Sequence, residues 1–144
     1  MKKNIRNTIL GAIAIIAVVS FAKVFALSSE QSYYLNATQS TYFDINNTNS
    51  SLTNITSSLN VTSFLATSGG DGSYCSWCHV TETISKKGFL GIYSKLASKS
   101  INTTGVGNYT GPSSSKGGSG TFRLTVKNED HTIDGGTYKI NMTN

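Results

Sequence analysis

The chain has 144 residues, a mass of 15.3 kDa and only 13% charged positions against 38% hydrophobic ones, which is room for one domain and excludes a multidomain enzyme. The net charge of +5 suggests a nucleic-acid binder, but Lys2, Lys3, Arg6 and Lys23 supply most of it. From Leu27 onward 8 basic residues face 7 acidic ones, so no basic face is expected there and nucleic acid is excluded as a partner.

The first 26 residues read as a secretory signal. Lys2, Lys3 and Arg6 form a basic start, Ile9 to Ala22 is a run of 14 residues apolar except for Ser20, and Val24-Phe25-Ala26 offers small residues where a signal peptidase reads. Cleavage is expected after Ala26. An uncleaved anchor is the alternative, and only then would the chain contact a membrane; Lys23 breaks the run short of the ~20 residues that span a bilayer. Either way residues 27–144 form a single exported domain, extracellular or on the cell surface.

Within 27–68 the chain is rich in Ser, Thr and Asn. Across residues 27–144 there are 20 Ser, 17 Thr and 11 Asn. Eight of those Asn stand in Asn-x-Ser/Thr sequons: Asn36, Asn46, Asn49, Asn54, Asn60, Asn102, Asn108 and Asn141. Chance would give about three or four, so the excess points to N-glycan acceptors on an exposed surface. A bacterial-like signal beside dense sequons resembles archaeal cell-surface proteins. Tyr34, Leu35, Leu52, Ile55, Leu59 and Val61 fall in period-two settings, so short strands with a sugared outer face are expected. Tyr33, Tyr42, Phe43 and Phe64 argue for order over a disordered tract.

Residues 69–110 are expected to carry the chemistry. After a hinge at Ser68-Gly69-Gly70-Asp71-Gly72 comes Cys75-Ser76-Trp77-Cys78-His79, which is C-x-x-C-H, the attachment sequence of a c-type haem. Two thiols at this spacing reach the two porphyrin vinyl groups, and the following imidazole ligates iron. With two Cys and two His in residues 27–144, the arrangement arises by chance on the order of once in 3,500 chains. On this motif the chain resembles c-type cytochromes. The resemblance implies one covalent haem c, Cys75 and Cys78 as thioether anchors, His79 as proximal ligand and Trp77 packed at the ring edge. Common sixth ligands are His and Met; His131 is the first choice and Met142 the second, its plainer role being core. Three other readings of the cysteines stay open: a Cys75–Cys78 disulfide, which closes too small a loop to restrain much; a thioredoxin-like dithiol, which wants a βαβ setting; and a zinc site of Cys75, Cys78, His79 and His131.

Ile84, Phe89, Leu90, Tyr93, Leu96 and Ala97 recur at near-helical spacing, which predicts a helix over about 85–99 covering one haem face. Lys86, Lys87, Lys95 and Lys99 would be its solvated side, or contacts for haem propionates or a redox partner. Gly111-Pro112 through Gly120 reads as a flexible connector. With two His there is no Ser-His-Asp arrangement, so substrate turnover is not expected.

Over 121–144 a β-hairpin is expected. Phe122, Leu124 and Val126 alternate with Arg123, Thr125 and Lys127, and Tyr138, Ile140 and Met142 alternate likewise. Leu-Thr-Val, a loop and Asp134-x-Gly136-x-Tyr138 resemble the corner of immunoglobulin-like sandwiches. That resemblance implies a tyrosine corner at Tyr138, with Asp134 and Gly136 shaping the turn. Ile140 stands where antibody domains have Cys, and little chain remains for a closing strand. The fold class is therefore mostly β, an incomplete immunoglobulin-like sandwich with one helix after the haem segment. A neighbour's Leu27–Thr38 would close the open edge by strand addition and build a haem-bearing filament, or the chain's own first strand would fill it. The functional expectation is a monohaem cytochrome passing single electrons to redox partner proteins at the cell surface. The alternative is a glycosylated structural or pilus-like protein with a Cys75–Cys78 disulfide.

Overall fold

The computed structural model describes residues 26–36, 38–65, 78–130 and 133–144. They form eight strands: β1 (Leu27–Leu35), β2 (Ser40–Asn47), β3 (Asn54–Leu65), β4 (Cys78–Lys87), β5 (Tyr93–Thr103), β6 (Gly107–Ser114), β7 (Gly120–Asn128) and β8 (Ile133–Thr143). One antiparallel sheet has the order β1-β8-β3-β6 and the other β2-β7-β4-β5. Every connection crosses between sheets except β4–β5, which turns back within one. Two four-stranded sheets threaded this way make a jelly roll.

Alternation builds the core. Phe122, Leu124 and Val126 of β7, Tyr138, Ile140 and Met142 of β8, Ile55, Leu59 and Val61 of β3, and Val80 and Ile84 of β4 point between the sheets, each 0% exposed. The rings of Tyr33 and Phe43 meet Tyr138 edge-on at 5.9 and 5.0 Å.

Three expectations about the elements are corrected. No helix occurs among the described residues: the 85–99 stretch is the β4–β5 hairpin, with Lys87 opposite Tyr93 and Ile84 opposite Ala97. The apparent helical spacing arose because Phe89 and Leu90 sit at a solvent-exposed turn, and because a register shift between Ile84 and Ser85 breaks the alternation. The connector beginning at Gly111 is in part a strand; Gly111 and Pro112 are buried in β6, and Pro is tolerated there because β6 is a sheet edge. The 121–144 hairpin does not exist, since β7 and β8 belong to different sheets.

The immunoglobulin resemblance is corrected as well. Asp134 and Gly136 lie inside β8, paired with Leu35 and Tyr33, not in a corner turn. Tyr138 is mid-strand, and its buried hydroxyl has no hydrogen bond to backbone; Thr41 is the polar side chain that reaches towards it. Nor is the sandwich incomplete. The chain's own β1 pairs with β8 along its whole length, Leu27 to Met142 through Leu35 to Asp134.

Candidate functional site

The topology brings the ends of β1, β3, β5 and β7 (Leu35, Leu65, Thr103 and Asn128) and the starts of β2, β4, β6 and β8 (Ser40, Cys78, Gly107 and Ile133) to one end of the sandwich. The haem-attachment motif runs in sequence into the start of β4. Cys78 opens β4 opposite Thr103, and His79 follows opposite Asn102. Cys75, Trp77 and His131 lie outside the described residues.

His79 is held from three directions. Its carbonyl accepts the N–H of Glu129 at 2.8 Å. Its own backbone N–H donates to Asp130 Oδ2, and its ring Nδ1 lies 3.0 Å from that same oxygen. Strand alternation explains the placement: Val80 points inward, so His79 takes the outer face, with its side chain 42% exposed. A carboxylate on Nδ1 fixes the proton there and makes Nε2 the nitrogen presented to a metal, the usual arrangement behind a ligating His.

Asp130 is placed in turn by Asn128. The Asn128 side chain, fully buried, accepts the N–H of Asp130 at 3.0 Å, while its backbone N–H donates to Gln39 at 2.9 Å. Asn128 thus ties Gln39, just before β2, to Asp130, just after β7. Beside it, a hydrogen bond from Lys127 lowers the Glu129 pKa. Sequence reasoning passed over Asn128 and Asp130 in favour of His131, although Asn-x-Asp is turn-forming chemistry that signals such a local tie.

The other predicted residues divide clearly. Met142 is 0% exposed, paired with Leu27 and Ile55 at the opposite end of the sandwich from His79. It is a core residue, and the second-choice sixth ligand is corrected accordingly. Lys86 and Lys87 are also remote, about 23 Å or more from His79 along β4 at 3.3 Å per residue. Lys86 donates to the Gly117 carbonyl at 2.8 Å and lies over the Phe122 ring, and Lys99 donates to the Thr110 carbonyl at 2.7 Å. Lys95 is exposed on β5.

None of the eight sequon asparagines is buried. Among the described residues the two buried asparagines, Asn47 and Asn128, are both outside sequons. Three sequon asparagines hydrogen-bond through their side chains without being enclosed: Asn54 donates to the Asn144 carbonyl, Asn141 accepts from Ser28, and Asn49 accepts the N–H of Ser51.

No family model and no curated protein matches the chain. Among solved structures it is similar to the mitogen derived from Yersinia pseudotuberculosis, with 7% identity, 83% of this chain and 86% of the other covered, and a TM-score of 0.44. A Sulfurospirillum deleyianum protein matches at 10% identity, with 81% and 98% covered and a TM-score of 0.45. A chain from Bacillus endospore appendages, which form disulfide-linked pili, matches at 13% identity, with 85% and 91% covered and a TM-score of 0.24.

Proposed function

We propose that the chain is an exported, single-haem carrier of electrons, a jelly roll with haem c tethered at its loop-bearing end. The observation that carries the reading is His79: the histidine of C-x-x-C-H stands second in β4, on its outer face, with Nδ1 bound to a carboxylate. The donor set fits the group, with two thiols at the attachment spacing and an imidazole whose tautomer is fixed. Cys75 and Cys78 would hold the haem, His79 would ligate on the proximal side, Trp77 would pack at the ring edge and His131 would supply the sixth ligand. The haem contributes reversible one-electron chemistry. The protein contributes orientation: Asp130 keeps the imidazole from rotating, and Asn128 keeps Asp130 in place. Redox proteins at the cell surface would be the partners.

A pyridine haemochrome spectrum with intact mass, on protein made in a host with c-type maturation, tests this. A c-type spectrum and a mass gain of one haem are expected. No visible absorbance and a mass two hydrogens light would replace the reading with a Cys75–Cys78 disulfide.

The second reading, a glycosylated structural surface protein, is favoured by the outward placement of all eight sequon asparagines. Mass mapping of glycopeptides from protein recovered from its own cells tests it. Because β1 already pairs with β8, assembly into a filament by strand addition would require each subunit to exchange its Leu27–Leu35 strand with a neighbour's.

A further inference from the structure

The β4–β5 hairpin ends in Lys86-Lys87-Gly88-Phe89-Leu90-Gly91-Ile92-Tyr93, at the end of the sandwich away from His79. Phe89, Leu90 and Ile92 are 103%, 79% and 67% exposed, Phe89 as fully as in an extended chain. Three large apolar side chains on one short turn mark a contact surface. The turn closes on itself, Gly88 N–H donating to Ile92 O at 2.8 Å and Gly91 N–H to Gly88 O at 3.0 Å, with Gly91 at φ 78° where a side chain would be strained. These backbone groups are therefore paired before the tip enters an apolar medium, which such entry demands.

We propose that this tip is a membrane-docking loop that seats the domain on an anionic lipid surface through Phe89, Leu90 and Ile92, with Lys87 and Lys116 at the headgroups. Three features choose lipid as the occupant. The first is charge. Lys87 at the base of the tip and Lys116 in the turn after β6 are exposed, whereas Asp44, the carboxylate beside Lys87, is engaged by Arg123 at 2.8 Å and by the Tyr93 hydroxyl at 2.9 Å. Amines around an apolar tip suit anionic headgroups.

The second is where the chain enters. Lys86 binds Gly117, Gly117 binds Thr53, and Asn54 opposes Thr143, so the tip lies at the end of the sandwich where β1 begins at Leu27. The segment the sequence marks as a signal or an anchor therefore joins the domain through Leu27, at that same end. The third is size. Three side chains on a protruding turn offer far less than the ~800 Å² per partner of a standard protein interface. The inference does not depend on haem, replaces the expectation that only an uncleaved anchor would bring the chain to a membrane, and puts the His79 end away from the bilayer.

The chain from Leu27 onward contains all eight strands and is the material for the test. It is sedimented with phosphatidylcholine vesicles with and without about 30% phosphatidylglycerol. Binding to the anionic vesicles alone is expected. Phe89→Ser/Leu90→Ser should weaken it about tenfold or more, and Lys87→Glu should weaken it too, with far-UV circular dichroism unchanged because these side chains leave the core intact. Failure to sediment with anionic vesicles overturns the proposal, as does undiminished binding by the serine variant. A dimer in sedimentation velocity that the serine variant abolishes, without vesicle binding, overturns it in favour of a second copy.

Discussion

One carboxylate oxygen of Asp130 engages both the backbone N–H and the ring Nδ1 of His79, 51 positions away in sequence. The ring is therefore locked relative to its own main chain. Asp130→Asn keeps the shape and removes the charge. In haem-loaded protein the imidazole becomes a weaker donor to iron, so the reduction potential is expected to rise, as read by spectroelectrochemical titration. In haem-free protein the two weakened bonds should cost about 1–2 kcal/mol in urea unfolding. An unchanged potential would mean that Asp130 serves the fold alone.

Asn128→Ala should cost more than the loss of any sequon asparagine. Its side chain is buried, and truncation leaves the Asp130 N–H without its acceptor, a penalty of about 1–3 kcal/mol. Asn46→Gln and Asn108→Gln alter exposed positions and should leave stability within about 0.5 kcal/mol. Parallel urea melts of the unglycosylated variants check the contrast.

The strands of 27–65 and 120–143 were legible because Leu59 and Val61, Phe122 to Val126, and Tyr138 to Met142 alternate cleanly with polar residues. The β4–β5 hairpin was not, because an inward position is occupied by Glu82 and a bulge follows Ile84, so the periodicity cue failed on both counts. Topology was hidden for another reason: two alternating runs joined by a polar turn look alike whether they pair or cross between sheets. Val126 and Ile140 carry no mark of which partner they choose. At the site, the motif disclosed His79 and the Asn128-x-Asp130 spacing marks a local turn, but the reach of Asp130 to His79, 51 positions away, is a contact that no local spacing encodes.

Gly111 stands where nothing larger fits. A Cβ there would meet Glu82 Oε2 at 1.8 Å and Ser57 Oγ at 2.2 Å. Gly111→Ala must push apart β6, β3 and β4 at once, and a cost of about 3 kcal/mol is expected. Glu82→Ala in the same chain removes the main obstacle, so the double variant should lose less than the sum of the two singles. Thermal melts of the four proteins provide the cycle.

Glu82 itself makes stability depend on pH. It is fully buried on β4, with Oε2 accepting from Ser57 Oγ at 2.8 Å and Oε1 unpartnered. Burial raises its pKa from 4.5 to about 7; the Ser57 hydrogen bond and the charge of Lys99 on β5 oppose the rise without cancelling it, and β6 faces it only with the neutral Gly111. Below pH 4.5 the folded and unfolded chains both carry this proton, so the group leaves stability untouched. Between about 4.5 and 7 the unfolded chain gives the proton up while the folded one retains it, so folding stability falls as pH rises. At 1.36 kcal/mol per pH unit the loss is about 3 kcal/mol, complete above pH 7. Glu82→Gln keeps the shape without the titration. It should flatten the curve between pH 5 and pH 8 and be more stable than the parent at pH 8, a difference read from urea melts across that range. A parent curve that is flat from pH 5 to pH 8 would show that the buried carboxyl is not held neutral in the folded chain.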